Sequence, residues 1–396
     1  MKLKVALLVV WLASTVSAQN RNGDANVVGV VVGYLPYSSG SYLGSPCLLL
    51  LPNGDYVASY DWNSHKRSIP LWDRTVIMKS TDKGRSWVEV AKLLTQHWSS
   101  LFYANDAIYI VGPTKKNGDL AIQKSQDGGY TWTSANNEHT GLLAQGEYHS
   151  APTPVIINEG RLWKAVERRN ESGKRCALII SAPLNSNLLL QKSWTFSNCL
   201  DYNPNWLAGT NGWIEGNAVV NTDASVSILM RVQATNYAEI HSKAAKITVS
   251  PDGKHLSFDP GNDFIDMPGA TSKKFTVRFD SVTGKYYSLV NRIRDAELKF
   301  LKIKGLNAGD IRNTISLISS EDLRTWKLEK DVLSIPYELD TALRRFSKKG
   351  IQYPDWQFEG TDIIYLLRTS AEDGLGGGLD YHDANYITFH RLKNFR

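Results

Sequence analysis

The sequence predicts an all-β protein that folds as a single β-propeller, and two observations support this prediction. The first is that short apolar or alternating runs recur along the chain, separated by turn clusters such as Pro52-Asn53-Gly54-Asp55, while no long segment has helical periodicity. We count roughly 24 to 28 candidate strands, which four-stranded blades divide into seven, with six as the alternative. The composition, 42% hydrophobic and 21% charged, excludes a disordered or fibrous chain.

The second observation is a repeated turn motif. Residues 80–87 and 125–132 both fit Ser-x-Asp-x-Gly-x-[Ser/Thr]-Trp at a spacing of 45 residues, residues 320–326 form a degenerate copy, and residues 250–258 are a candidate fourth. The aspartate can accept hydrogen bonds from turn amides, the glycine can adopt positive φ, and the tryptophan can pack on the next strand. This pattern favours structural rather than catalytic roles for its acids, Asp82, Asp127 and Asp322.

Residues 19–396 are predicted to form one domain, because no Pro/Gly/Ser-rich linker divides them. The glycine-rich segment 374–378 lies between two strand-like runs, 362–368 and 385–390, and is predicted to be a loop within the last blade. The early run 26–33 is expected to join that blade, since pairing the two ends of the chain closes the ring and removes exposed strand edges.

Residues 1–18 have the features of a signal peptide: two lysines, a short apolar run and the small-residue end Val16-Ser17-Ala18. The apolar run is shorter than a membrane span, so we expect a secreted protein with no membrane partner. The formal charge is 45 − 39 = +6, or about +4 without this segment, and no basic run indicates nucleic acid as a partner. We expect a monomer.

Three cysteines are too few for a fold built on disulfides. Cys47 lies in an apolar run and is predicted to be a buried free thiol. Cys176 and Cys199 lie in or near neighbouring apolar segments, and the sequence leaves open whether they pair. The sequon at Asn170 is expected in a surface loop of a glycoprotein.

The repeated motif is the Asp-box, and with it the sequence resembles the sialidase-like β-propellers. Further segments carry a closer resemblance to the propeller polysaccharide lyases, including rhamnose-glucuronate and ulvan lyases, and to related α-L-rhamnosidases: residues 96–102, 148–155, 160–165, 212–217 and 382–390. The resemblance implies a secreted enzyme that cleaves a 4-linked glucuronate in a polysaccharide by β-elimination. One departure is that sialidases carry an Arg-Ile-Pro element on the first inner strand, where this chain reads Leu-Gly-Ser-Pro-Cys-Leu-Leu over residues 43–49.

In the lyases that the sequence resembles, a tyrosine precedes an arginine by sixteen residues, with one or two histidines upstream. Tyr148 matches the tyrosine, Lys164 stands in place of the arginine, His97 is the upstream candidate, and a second upstream histidine is absent near residues 115–117. β-Elimination needs a cation to neutralise the uronate carboxylate, together with a base and an acid. We therefore expect Lys164 to neutralise, helped by Arg231 or Arg168, and Tyr148 with His97 or His149 to transfer protons. Further expected substrate-binding residues are Trp213, Glu215, Asn217, Arg368, His382 and Asn385.

Two alternatives remain open at this point. A glycoside hydrolase could pair Glu215 with Asp355 or Asp383, and a non-catalytic propeller could bind a glycan by stacking it on Trp213 or Trp98. No spacing of His and Cys fits a zinc site, and His382 with Asp383 is a weak metal pattern, so we predict no metal and no cofactor. The predicted partner is a uronate-containing polysaccharide or oligosaccharide.

Overall fold

The computed structural model describes residues 27–64, 74–235, 240–304, 308–336, 339–340, 345–346 and 348–396. The predicted signal peptide lies outside these residues. Among the helices of the described ranges, none combines the length and the apolar character that a membrane span requires.

Antiparallel four-stranded sheets form the blades of a propeller. The first strand of the chain, β1 (Val30–Tyr34), belongs to the last blade. Blades 1 to 3 follow in sequence order, each from its inner to its outer strand. Blade 1 contains β2 (Ser41–Leu50), β3 (Tyr56–Ser64), β4 (Arg74–Ser80) and β5 (Val88–Leu93), and blade 2 contains β6 (Ser100–Ala104), β7 (Ala107–Pro113), β8 (Leu120–Ser125) and β9 (Leu142–Ala144). Blade 3 contains β10 (Tyr148–His149), the extra β11 (Ile156–Asn158), β12 (Arg161–Arg169), β13 (Arg175–Pro183) and β14 (Thr195–Phe196).

The second half of the chain repeats this arrangement. Blade 4 contains β15 (Thr210–Val220), β16 (Val226–Ala234), β17 (Lys243–Val249), β18 (Leu256–Ser257) and the extra β19 (Phe264–Asp266). Blade 5 contains β20 (Thr276–Asp280), β21 (Lys285–Asn291), β22 (Thr314–Ser320) and β23 (Lys327–Ser334). A two-stranded hairpin of β24 (Leu339–Asp340) and β25 (Arg345–Phe346) precedes blade 6, which contains β26 (Gly350–Glu359), β27 (Asp362–Ser370) and β28 (Tyr386–Leu392).

The ring closes as predicted, because β1 pairs with β28 and so supplies the outer strand of blade 6. The glycine-rich segment 374–378 lies in the loop between β27 and β28, also as predicted. Six clusters of buried apolar side chains each join two adjacent blades, so every blade is held by both of its neighbours.

The preferred count of seven blades is wrong, and the alternative of six is correct for the described residues. The reason is that β11, β19, β24 and β25 are strands by hydrogen bonding but do not build a blade of their own. Dividing all strands by four therefore overestimates the number of blades.

The Asp-box prediction is confirmed. In each of the four copies a serine hydroxyl donates to the aspartate, from Ser80 to Asp82 at 2.8 Å and from Ser125 to Asp127 at 2.9 Å, with equivalent bonds at Asp252 and Asp322. The same carboxylates accept turn amides, such as that of Ser86 on Asp82 at 2.9 Å. These acids stabilise turns at one end of the blades.

The remaining local predictions concern cysteines and helices. Cys176 and Cys199 are paired, with their Cα atoms 5.5 Å apart, and Cys47 is a buried free thiol, as predicted. One α-helix, α1 (Asp295–Lys304), interrupts blade 5 between β21 and β22 and was not predicted, because its ten residues are too few to show a helical period. Short 3₁₀ helices cover Tyr37–Ser39, Gln191–Ser193 and Ala308–Asp310.

Candidate functional site

The two ends of the propeller differ in character. In blade 1, Leu50 pairs with Tyr56, which pairs with Ser80, and the Asp-box follows directly. At the other end of the same strands, Gly44 pairs with Asp61. Each inner strand therefore begins at the end away from the Asp-boxes, and this end carries the polar residues described below.

Irregular backbone marks this end of the inner strands. The register of β2, β15 and β26 breaks near Ser45, Glu215 and Tyr353, whose φ angles are 50°, 60° and 56°. Trp98 and Ser272, just before β6 and β20, also have positive φ, at 51° and 59°. Left-handed conformations are costly for residues other than glycine, and bulges of this kind redirect side chains, often at functional sites.

The centre of the site is a contact among Glu215, Arg231 and Tyr353. The Arg231 guanidinium on β16 hydrogen-bonds the Glu215 carboxylate, and the Tyr353 phenol lies close enough to interact with it. Glu215 and Arg231 are buried, whereas Tyr353 is partly exposed. Burial alone would raise the pKa of Glu215, but the adjacent Arg231 charge outweighs it and lowers the pKa; the same pairing raises the pKa of Arg231 despite its burial.

Two more arginines flank the ring of Tyr353. The guanidinium carbon of Arg368 on β27 lies 5.4 Å from the ring centroid and that of Arg312 lies 5.7 Å from it. Arg368 also lies over Tyr42 at 5.0 Å. It occupies space next to Gly44, where a Cβ would lie 3.5 Å from Nη1 of Arg368. A Cβ at Gly44 would be in ordinary van der Waals contact with Arg368 and tighter, at 3.0 Å, against Nδ2 of Asn63.

The three arginines near Tyr353 differ in their partners. Arg368 donates to Asp383 at 2.8 Å, whereas Arg312 donates to uncharged acceptors, including the Gln352 side chain at 2.7 Å. Burial, with the nearby Arg368 charge, lowers the pKa of His382 to about 3, so this histidine is neutral at pH 7. Arg312 thus makes its direct hydrogen bonds to neutral groups, although the charge of Asp310 also acts on it, and its guanidinium suits a ligand with a carboxylate group.

A second polar cluster lies at the same end, on blades 1 to 3. His149 Nδ1 lies 2.6 Å from Glu167 Oε2, and the His149 ring packs 4.5 Å from that of Trp98. His97 lies on the same Trp98 ring, at 4.8 Å. Asp61, which is buried, accepts the Trp98 amide at 2.8 Å and the Thr75 hydroxyl.

Three of the predicted site residues are buried in the framework instead. Lys164 is fully buried and donates to the Ala151 carbonyl at 2.9 Å and to the Thr153 hydroxyl at 2.6 Å. Trp213 is fully buried in the apolar cluster between blades 3 and 4. Asn217 joins blade 4 to blade 5, because its side chain bonds the backbone of β20 and of the preceding Phe275. Their burial contradicts the predicted roles of Lys164 in neutralising a uronate and of Trp213 and Asn217 in contacting substrate.

Tyr148 points away from the second cluster. Successive residues of a strand face opposite sides, so while His149 contacts Glu167, Tyr148 packs in the core between blades 2 and 3. Its hydroxyl interacts with Arg168, and its pKa is raised by burial. Tyr148 and Arg168 line a cavity of about 550 Å³ between these blades, with an apolar floor that includes Leu178. Tyr148 therefore points away from both histidines that were predicted as its partner in proton transfer, His149 and His97, which share the Trp98 ring.

The C-terminal residues divide between the site and its support. Arg368 and His382 lie at the site, whereas Asn385 bonds the backbone of Ala371 and so holds the β27–β28 loop. His382, Asp383 and Asp380 have possible ligand atoms within 4.8 Å of one another. Arg368 already binds Asp383, and a cation beside that guanidinium would be repelled, so this group is better described as an ion-pair network.

Four residues of the site were not predicted: Tyr353, Arg312, Glu167 and Asp61. A signal for Tyr353 exists, because Tyr-Pro-Asp at 353–355 repeats the residue-Pro-residue arrangement of Ser-Pro-Cys at 45–47 at the bulge of another inner strand. Asp355, the last residue of Tyr-Pro-Asp, was considered from the sequence as a catalytic partner of Glu215. It is buried and accepts the Leu48 amide at 2.7 Å, so it joins blade 6 to blade 1.

Comparison with known proteins agrees with the fold. No family model and no curated protein matches the sequence. A protein of unknown function from Dyadobacter fermentans is similar in structure, with a TM-score of 0.59 and 12% identity over 93% of this chain and 98% of that one. Penicillium chrysogenum α-L-arabinanase in complex with arabinobiose (TM-score 0.53, 12% identity, 93% and 98% coverage) and Trypanosoma rangeli sialidase in complex with sialic acid (0.54, 13%, 92% and 57%) are similar too.

At these identities the likeness defines the fold and nothing finer. Over the described residues the chain forms a six-bladed β-propeller and is similar in fold to the sialidase and the arabinanase. The predicted closeness to polysaccharide lyases and rhamnosidases stays a prediction, since the neighbours described here are a sialidase, an arabinanase and a protein without a stated activity.

Proposed function

We propose that this protein is a secreted, monomeric glycoside hydrolase that removes a carboxylate-bearing sugar from a glycan. The observation that carries the proposal is the contact of Glu215 and Tyr353 through one buried guanidinium, that of Arg231, at the end of the propeller where the inner strands are irregular. Tyrosine nucleophiles are the known departure from paired carboxylates in glycoside hydrolysis, and they occur in sialidases.

In the proposed reaction the Tyr353 oxygen attacks the anomeric carbon and Glu215 takes up the phenolic proton. Arg231 serves this step because its positive charge stabilises the developing phenolate and the ionised carboxylate at once. A neutral phenol suits a substrate whose own carboxylate would repel an anionic nucleophile. The partial exposure of Tyr353, in contrast to its buried partners, is consistent with direct contact between this residue and substrate.

The three arginines support an acidic substrate and suggest where its charge lies. Arg231 interacts with the Tyr353 hydroxyl, and Arg312 and Arg368 flank the Tyr353 ring. A carboxylate held by these groups would be next to the carbon that Tyr353 attacks. This placement favours a sugar with the carboxylate on or beside the anomeric carbon, as in sialic acids, over a uronate with the carboxylate across the ring.

The comparisons favour this hydrolase over the predicted lyase. The structures of the arabinanase and the sialidase named above each contain a sugar ligand, arabinobiose in the first and sialic acid in the second. The lyase scheme needs Lys164 to reach a uronate, and Lys164 is buried against backbone carbonyls. We therefore prefer hydrolysis, the class considered as an alternative from the sequence, but with Tyr353 as the partner of Glu215 in place of Asp355 or Asp383.

The test is a set of 4-methylumbelliferyl glycosides of N-acetylneuraminic acid, glucuronic acid and L-arabinofuranose, assayed for fluorescence with the purified protein. We expect release from the N-acetylneuraminic acid glycoside and not from the glucuronide or the arabinofuranoside, abolished in Tyr353→Phe and retained in Tyr148→Phe, a matched loss of a phenol elsewhere. Unsaturated uronate absorbance from ulvan or gum arabic that Tyr148→Phe abolishes would replace the proposal by the lyase. Saturable glycan binding without turnover would replace it by a binding propeller.

A further inference from the structure

The His149–Glu167 pair has the geometry of a proton-transfer group. Glu167 lies opposite His149 in the β10–β12 register, and its two oxygens have different partners: Oε2 meets His149 Nδ1 at 2.6 Å, and Oε1 accepts the Gly216 amide at 3.0 Å. A carboxylate on Nδ1 fixes the proton on that nitrogen and stabilises the imidazolium, which leaves Nε2 to exchange a proton with a ligand.

The pair is also coupled to the proposed nucleophile site. Gly216 follows Glu215 in the bulge of β15, so Glu167 holds both His149 and the backbone that positions the Glu215 carboxylate. His149 is close enough for its charge to act on Glu215. The two clusters therefore form one continuous site that extends from blade 6 through blade 4 to blade 3.

The other candidates for an acid at this end have different tasks. Both oxygens of Asp61 accept hydrogen bonds, from the Thr75 hydroxyl at 2.7 Å and the Trp98 amide at 2.8 Å, and Asp61 is buried. Asp61 thus holds Trp98 in its left-handed conformation. His97 is more deeply buried than His149 and lies 4.0 Å from Asp61.

We propose that His149 is the acid and base of the hydrolysis, with Glu167 as its positioning residue; this inference rests on the proposed function. In the first step the Nε2 proton of the imidazolium passes to the glycosidic oxygen as its bond to the anomeric carbon breaks and the Tyr353 oxygen bonds to that carbon. Glu215 takes the Tyr353 proton. In the second step Nε2 accepts a proton from water, whose oxygen bonds to the anomeric carbon as the bond between that carbon and the Tyr353 oxygen breaks, and Glu215 returns its proton to the released Tyr353 phenolate.

The experiment compares two substrates that differ in their need for an acid. 4-Methylumbelliferyl N-acetylneuraminide has a leaving group that departs without protonation, whereas 3′-sialyllactose releases a sugar alkoxide that must be protonated. We expect His149→Gln to lower kcat/KM for sialyllactose by about 100-fold or more and to change the fluorogenic substrate by less than about tenfold. Glu167→Gln should show the same selectivity with a smaller loss.

His97→Gln is the matched control, since it removes the other imidazole from the same Trp98 ring. It should change both substrates by the same factor. Equal losses on both substrates in His149→Gln would overturn the inference and assign a structural role to His149; the selective loss in Asp61→Asn instead would transfer the acid role to Asp61. A wild-type protein that hydrolyses neither substrate refutes the proposed function itself, so the two failures are distinguishable.

Discussion

Replacing Lys164 by Met tests whether this residue belongs to the framework or to the catalytic machinery. The ammonium group is fully buried and donates to Ala151 and Thr153. Both carbonyls keep another donor in the variant, because the Thr153 amide donates to the Ala151 carbonyl at 2.7 Å and the Ser100 hydroxyl donates to the Thr153 carbonyl at 2.8 Å. Methionine also fills a similar volume. We therefore expect Lys164→Met to fold and to keep its activity on the fluorogenic substrate within a few-fold.

The magnitude of the stability effect follows from the pKa. Burial lowers the pKa of Lys164 from 10.5 to about 7, so above pH 7 the native amine is largely neutral while the unfolded chain remains protonated up to pH 10.5. The unfolded state then binds more protons, and stability rises with pH by up to about 1.4 kcal/mol per unit within this window. Between pH 8.0 and 9.5 the Lys164 amine should therefore raise the free energy of unfolding by about 2 kcal/mol.

Urea unfolding of wild type and Lys164→Met at these two pH values measures this contribution. Subtracting the pH dependence of the variant from that of wild type removes the contribution of every other titrating group that the substitution leaves unchanged. We expect wild type to gain about 2 kcal/mol more than the variant between pH 8.0 and 9.5. Equal gains would show that Lys164 stays protonated in the native state, and a loss of activity without a loss of stability would return it to the catalytic machinery.

Three further predictions concern residues outside the site. Asp82→Ala removes three hydrogen bonds from an exposed turn and should lower the free energy of unfolding by about 2 kcal/mol without changing turnover per folded molecule. Because these bonds lower the pKa of Asp82 to about 2, its contribution should fade as the pH falls from 4 towards 2, and an unchanged urea midpoint would contradict the Asp-box role. Trp213→Ala should cost about 3 to 5 kcal/mol in urea unfolding, and glycan binding lost at full stability would contradict its place in the core. Burial raises the pKa of the Cys47 thiol, so this thiol should resist alkylation in the native protein. In urea without reductant one thiol per chain should react, because Cys176 and Cys199 form a disulfide bond. Labelling of the native protein, or three reactive thiols in urea, would contradict this prediction.

Local features made the propeller predictable. The Asp-box turns depend on hydrogen bonds within seven or eight consecutive residues, so their sequence pattern is complete in itself. The closing pair of β1 with β28 followed from the general need to remove strand edges. The number of blades did not follow, since nothing local distinguishes a blade strand such as β10 from an extra strand such as β11.

The site was less predictable because it depends on which inner strands meet. Glu215, Arg231 and Arg368 were identified as polar residues in strand-like runs, but their common neighbour Tyr353 lies more than a hundred residues from Glu215 in sequence. Lys164 shows the opposite case. A charge alternating with apolar residues suggested a ligand, whereas the structure satisfies the charge with backbone carbonyls of the same blade.

Trapping the reaction on the protein tests the central claim that Tyr353 is the nucleophile. The protein is incubated with 2,3-difluoro-N-acetylneuraminic acid, whose fluorine beside the anomeric carbon slows breakdown of a glycosyl-enzyme, and its peptides are then analysed by mass spectrometry. The account predicts one sugar bound per chain, located on Tyr353 and absent from Tyr353→Phe. Turnover of the sialoside with the sugar trapped on another residue, or with no trapped sugar, would contradict it.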